Sequence, residues 1–321
     1  MKRIEFYAAT GGNNKIVGFL CPAKLKEGQR AEGILQICHG MADYFGRFEE
    51  LKDHLVNNGW HVVGMDMMGH GETFKLNEKN DMPLGYFGDS SDSAMCILRD
   101  EMTLCAKAKE TFGADLPYVL YGHSMGSFIA RNIYITPEWS KEFDGFVFAS
   151  TMGPNPAVGL GLFLSKSFAV FGRKRKPGKI LNSIAFGAYN SRIPNRKTNF
   201  DWISSDEEVV AKYCNDELAG FLFCNKGFTD LFTLVARMQA KNALDNVPVA
   251  KPVLMTYGEN DPVTDYGKGA SKVANSLRAR GVALIEKNYG PYRHEIQNES
   301  IRFDYFNDVL MLCRKAANSN E

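Results

Sequence analysis

The chain has 321 residues, of which 45% are hydrophobic and 23% charged, with 38 Lys plus Arg against 37 Asp plus Glu, a formal net charge of +1. These proportions exclude disordered, collagen-like and repeat architectures, and the even charge balance argues against a nucleic-acid partner. A chain this long removes about three quarters of its unfolded surface from water, so stability needs neither metal nor disulfide.

In chain order, residues 4–9 and 15–20 are β-rich runs around Gly11-Gly12-Asn13-Asn14 and predict an antiparallel hairpin. Runs at 34–38, 62–65, 118–121, 146–149, 253–257 and 283–285 are apolar without clean alternation, as in strands buried on both faces of a parallel sheet. Helical patterns occupy 47–58, 93–112, 127–135, 267–280 and 296–317. In the second of these, Ala94, Leu98, Met102 and Cys105 share a face, and Gly113 is a stop signal. This order predicts an α/β chain with a mostly parallel central sheet flanked by crossover helices. The opening residues have no apolar core like that of a signal peptide, and nothing approaches the 18 apolar residues of a membrane span. The seven scattered cysteines show no metal-ligand spacing and read as reduced thiols in a cytoplasmic protein without a metal.

The alternation stops over residues 151–245, too long a stretch for a connection within a compact sheet. The expectation is a core built from residues 1–150 and 246–321, with a mainly helical cap or lid at 151–245. The cap carries 13 Lys/Arg against 8 Asp/Glu, and residues 151–200 hold nine basic side chains and no acid. Such a surface suits contact with anionic membrane headgroups, the alternative being a solvated basic loop around Arg173 and Lys176. The apolar, glycine-broken stretch 157–171 reads either as a mobile lid that meets lipid or as a cap helix packed on the core.

Gly122-His123-Ser124-Met125-Gly126 follows the run 118–121 directly and precedes a helical pattern. A tight strand-to-helix turn would project the Ser124 hydroxyl from the sheet, with glycines where side chains would collide. Three fixed residues at about 7% frequency give roughly 0.1 chance matches in a chain of this size, so placement between strand and helix gives the pattern its weight. A serine needs a base. Of His39, His54, His61, His70, His123 and His294, only His294 lies beyond Ser124, in a turn-rich loop ahead of the last helix. Asp261, past the run 253–257 and followed by Pro262, is the candidate acid, with Glu259 and Asp265 as competitors. The amides of Met41 and Met125 are candidate oxyanion donors. His39, Gly40 and His123 are expected to meet substrate, the plainer reading of His39 and Gly40 being a strand-ending turn. Asp66-Met67-Met68-Gly69-His70-Gly71 reads mainly as a structural loop beside the pocket, with Met67 and Met68 as pocket-lining or gap-filling side chains.

The segments His39-Gly40-Met41-Ala42-Asp43-Tyr44-Phe45-Gly46-Arg47-Phe48, Asp66 to Gly71, Gly122 to Gly126, Gly258 to Val263 and Arg293-His294-Glu295 together resemble the α/β-hydrolase superfamily. The similarity is greatest to its monoacylglycerol lipase and lysophospholipase-like branch. The resemblance spans about 1–150 and 246–321 and implies the α/β-hydrolase fold, a Ser124–Asp261–His294 triad, an oxyanion hole at Met41 and Met125, and a lid over an acyl pocket. It departs at Asp43 and Tyr44, where relatives often have Glu and His, and at Ser127, where they often have Gly; these positions bear on specificity. The activity implied is that of a serine hydrolase cleaving lipid esters such as monoacylglycerols or lysophospholipids, using no cofactor. The alternatives are an aminopeptidase or thioesterase on the same scaffold, a non-catalytic ligand binder, or a membrane-surface module. Oligomeric state is not legible.

Overall fold

In the computed structural model, which describes residues 1–168 and 172–318, the apolar runs pair into one eight-stranded sheet. Its strands are β1 (Lys2–Tyr7), β2 (Lys15–Cys21), β3 (Gly33–Cys38), β4 (Trp60–Asp66), β5 (Tyr118–His123), β6 (Gly145–Ala149), β7 (Val253–Tyr257) and β8 (Leu284–Asn288). They lie in the order β1-β2-β4-β3-β5-β6-β7-β8. The hairpin β1–β2 joins β4 antiparallel, and every pairing from β4 across to β8 is parallel.

The helices are α1 (Glu49–Asn57), α2 (Gly71–Asn77), α3 (Ser93–Phe112), α4 (Met125–Tyr134), α5 (Pro137–Ser140), α6 (Val158–Phe168), α7 (Lys179–Phe186), α8 (Glu207–Asn215), α9 (Asn225–Met238), α10 (Lys268–Arg278) and α11 (Arg302–Asn318). The expected stretch 157–171 falls on α6, and its residues 169–171 lie outside the described residues. Unbroken apolarity in the strands is divided between two faces by the pleat. Leu120, Phe146, Phe148 and Met255 join one cluster with Leu98, Ile129 and Val273 of α3, α4 and α10. Val119, Tyr121, Val147 and Leu254 join another with Leu51 of α1 and Val309 of α11.

Among the described residues four α-helices, α6 to α9, stand between β6 and β7, and Leu181 of α7 with Phe228, Leu231 and Leu234 of α9 continue the first cluster. The short helices α2 and α5 carry no periodic pattern that would mark them in the sequence. The stretch 296–317, whose pattern predicts one helix, divides into a 3₁₀ turn at Ile296–Asn298 and α11. Glu299 occupies the break, and its buried carboxylate accepts the Ser205 amide at 2.7 Å, the Ser205 hydroxyl at 2.5 Å and the Arg293 amide at 3.1 Å. The break therefore ties the chain beyond β6 to the loop carrying His294.

One polar relay crosses the core. Tyr118 donates to Gln36 at 2.8 Å, and Gln36 donates to the wholly buried Glu101 of α3 at 2.7 Å. Burial pushes the Glu101 carboxyl up to about 8, despite the lowering effect of the Gln36 bond. A carboxyl raised in the fold contributes stability that is complete below its ordinary value and is lost as pH rises through the folded value. Glu101→Gln, which resembles the protonated acid, should gain melting temperature relative to the unsubstituted protein as pH goes from about 5 to about 8. Parallel melting curves across that window would contradict the relay.

Candidate active site

Ser124 sits between β5 and α4 with φ 54° and ψ −119°, a conformation that costs of order 1–3 kcal/mol for a residue with a side chain. The surroundings enforce it. A Cβ on Gly122 would lie 2.2 Å from the Gly126 carbonyl oxygen, and one on Gly126 would lie 2.0 Å from that of Cys38. The Ser124 amide donates to Ala149 of the neighbouring strand at 3.0 Å. Its carbonyl accepts both the amide (2.8 Å) and the hydroxyl (2.5 Å) of Ser127. Ser127, a departure from the related pattern, thus braces the turn. Helix α4 starts at Met125, two residues earlier than its sequence pattern, so the Met125 amide belongs to the unsatisfied N-terminal turn.

His294 and Asp261 arrive on loops after β8 and β7. Nδ1 of His294 is 2.9 Å from Oδ1 of Asp261, and both side chains are buried. The loops are stitched together by Glu259 N–H to the Gly290 carbonyl (2.7 Å) and Asn260 N–H to that of Tyr292 (3.0 Å). A Cβ on Gly258 would stand 2.1 Å from the Tyr292 carbonyl oxygen. The Val263 amide also donates to Asp261 Oδ1 at 2.9 Å. Glu259 and Asp265, the competing acids, are both exposed, and neither bonds the imidazole. Ser124 and His294 line the same cavity. Among the described residues no hydrogen bond links their side chains; such bonds commonly tighten only when substrate is bound.

The loop after β3 carries Gly40, where a Cβ would come within 3.4 Å of the Ser124 Cβ, and Met41, whose residue faces the cavity. Gly40 and His123 also line the cavity, whereas His39 does not. Expected to meet substrate, His39 stands behind the wall: Nδ1 donates to the Gly40 carbonyl at 2.8 Å and Nε2 accepts the Met67 amide at 3.1 Å. Burial lowers its pKa to about 4, so the ring is neutral and braces the turn from within. His123, likewise lowered to about 4 by burial, donates from Nε2 to the His294 carbonyl at 3.2 Å. Met67 and Met68 are core side chains and do not line the cavity.

Arg47 and Glu295, which lie within the related segments but carry no motif of their own, form a bidentate ion pair beside the site. Arg47 donates to both carboxylate oxygens of Glu295, at 2.8 and 2.7 Å, and to Asp43 at 3.0 Å. Its guanidinium also lies 4.5 Å from the Tyr213 ring centroid, over a face of α8. Burial alone would raise Glu295, but the Arg47 charge and hydrogen bonds hold it well below the usual carboxylate range. The triplet therefore binds the loop after β3 to the residue after His294. Tyr213 donates to the Ala42 carbonyl (3.2 Å), and Gly220 N–H donates to the same oxygen (2.9 Å). Tyr44, another departure, donates to Asp216 at 2.7 Å. The Trp202 ring lies 5.0 Å from that of His294. No period or motif marks Trp202 or Tyr213 in the sequence.

The cavity encloses about 720 Å³. Phe128, Val158, Leu231, Phe232 and Val235 form apolar wall, while Asn190, Arg196 and Asn199 supply polar groups elsewhere in the lining. Removing the Arg47 guanidinium would leave two buried carboxylates without a counter-charge, a loss of about 3–5 kcal/mol. Arg47→Met should lower the melting temperature accordingly, and Glu295→Gln in the same chain should restore part of the stability. Additive losses in the double variant would contradict the coupling.

The family model described as Hydrolase_4, serine aminopeptidase S33, matches residues 29–301. Phospholipase YtpA of Bacillus subtilis is 26% identical over 281 residues, covering 86% of this chain and 93% of that protein. The monoglyceride lipase of Mus musculus is 25% identical over 272 residues, covering 84% of this chain and 77% of the enzyme. Among solved structures, a thermostable carboxyl esterase from Bacillus coagulans superposes with a TM-score of 0.88 at 26% identity, covering 98% of each chain. The eight-stranded sheet, its flanking helices and the matched span agree: this chain belongs to the serine aminopeptidase S33 family of α/β-hydrolases, a lipase- and esterase-type fold.

Proposed function

We propose that the protein is a serine hydrolase that cleaves carboxylic esters of lipids, of monoacylglycerol or lysophospholipid type. The observation that carries the reading is the buried Asp261–His294 hydrogen bond, 2.9 Å long, at the edge of a largely apolar cavity that also receives the strained turn at Ser124. His294 takes the Ser124 proton through Nε2 as the hydroxyl attacks the ester carbonyl, while Asp261 accepts a hydrogen bond from Nδ1–H, fixes the tautomer and stabilises the imidazolium. The amides of Met41 and Met125 receive the developing oxyanion. Protonated His294 then releases the alcohol, and water attacks the acyl-enzyme by the reverse relay. The apolar wall at Phe128, Leu231, Phe232 and Val235 is suited to the acyl chain. The names of the relatives, a phospholipase and a monoglyceride lipase, favour the same substrate class.

An aminopeptidase would need a free carboxylate to receive the substrate's α-ammonium. The cavity's two buried carboxylates, Asp43 and Glu295, are both bound to Arg47, and its third, Asp265, is exposed. Only the exposed Asp265 is left for that role, whereas the apolar wall at Phe128, Leu231, Phe232 and Val235 suits an acyl chain, and this favours lipid esters.

Ser124→Ala and His294→Ala should each abolish hydrolysis of short p-nitrophenyl esters, and Asp261→Asn should lower kcat by about 10⁴. In a panel of monoacylglycerols, lysophospholipids, acyl thioesters and aminoacyl amides, with Ser124→Ala as blank, the first two classes should turn over fastest. Substantial activity in the blank, or faster cleavage of the amides, would overturn the assignment.

A further inference from the structure

Ser124 and His294 are both held by the end of β6, through two consecutive residues. The Ser124 amide donates to the Ala149 carbonyl at 3.0 Å, and the Ser150 hydroxyl donates to the His294 carbonyl at 2.7 Å. The Ser150 amide in turn donates to the carbonyl of Thr256 in β7 at 2.8 Å. Ser150 is buried and does not line the cavity, so it can act on substrate only through other residues.

The backbone at Ser150 is strained. Its φ is 51°, in the left-handed region, which glycine enters freely and serine only at a cost. That cost is at least as large as the net gain from one neutral hydrogen bond. Stability therefore does not account for a side chain at this position. Glycine would free the backbone, and the His294 carbonyl would still accept Nε2–H of His123 at 3.2 Å. What glycine would lose is the shorter of these two bonds.

The peptide group that follows His294 is gripped at both ends. Its carbonyl accepts from Ser150 and His123 on the core side. Its N–H, that of Glu295, donates at 2.7 Å to the carbonyl of Ile203, in the chain between β6 and β7. A peptide group is planar, so anchoring both of its polar atoms fixes rotation about the His294 Cα–C bond. With Nδ1 held at Asp261, the imidazole has little freedom to swing away from Ser124.

We infer that Ser150 is a positioning residue of the hydrolytic site, kept in a strained conformation so that its hydroxyl sets the His294 imidazole in register with Ser124. The Ser124 amide and the His294 carbonyl hang on neighbouring residues of one strand end, so a common anchor governs their spacing. The inference rests on the reading of Ser124 and His294 as nucleophile and base.

The test separates the hydroxyl from the Cβ. Ser150→Ala and Ser150→Gly both remove the hydroxyl, but only glycine relieves the backbone. With a short p-nitrophenyl ester, both should lower kcat on the order of tenfold or more while KM stays within about twofold, the pattern of a misplaced base and not of lost substrate binding. Their melting temperatures should part, with Ser150→Gly above Ser150→Ala. Turnover at the unsubstituted rate in Ser150→Gly, with Ser124→Ala inactive, would overturn the positioning role and leave the hydrolase reading intact. A kcat that follows the melting temperature across the two variants would overturn it equally, and activity in Ser124→Ala would remove both readings.

Discussion

The site depends on one backbone constraint, the positive-φ turn at Ser124. A residue with a side chain is held there because β5 is central and parallel to its neighbours β3 and β6, while α4 must begin immediately beyond the strand. The Gly126 backbone packs against the Cys38 carbonyl, so the turn has no room to relax. Strain of this kind survives only where the surrounding structure over-determines it, and here two strand pairings, a helix start and the Ser127 bonds all do so.

Parallel strands carry the remaining parts to the same edge. Asp261 follows β7 and His294 follows β8, and the carboxyl ends of parallel strands are where such a sheet presents its loops. Proximity alone would leave those loops mobile. Arg47 removes that freedom by holding Asp43 and Glu295 in one buried cluster, and its contact with Tyr213 extends the linkage to α8. The chain inserted between β6 and β7 is thereby attached to the machinery at the Ala42 carbonyl and the Arg47 guanidinium, as well as covering the cavity.

Much of this was legible in the sequence because the information is local. Continuous apolar runs identify strands buried on both faces, and G-x-S-x-G marks a turn through the space its glycines vacate. His294 stood out because no other histidine follows Ser124. What escaped was non-local. Arg47 and Glu295 are 248 positions apart and interact only once the sheet has formed. His39 sits in the right segment but uses both ring nitrogens on backbone, which no residue pattern reveals. The break at Glu299 interrupts a good helical pattern because its carboxylate serves Ser205 and Arg293. The basic run at Arg173 to Lys176 looked uniformly free, yet half of it is paired with Asp81 and Asp89.

The central claim is that the Ser124 hydroxyl is made nucleophilic by His294. It is tested most directly by reacting the protein with a fluorophosphonate and locating the adduct by peptide mass spectrometry. One phosphonylated residue, Ser124, is expected, with labelling nearly lost in His294→Ala. An adduct at another serine, or labelling of Ser124 that proceeds as fast without the imidazole, would contradict it.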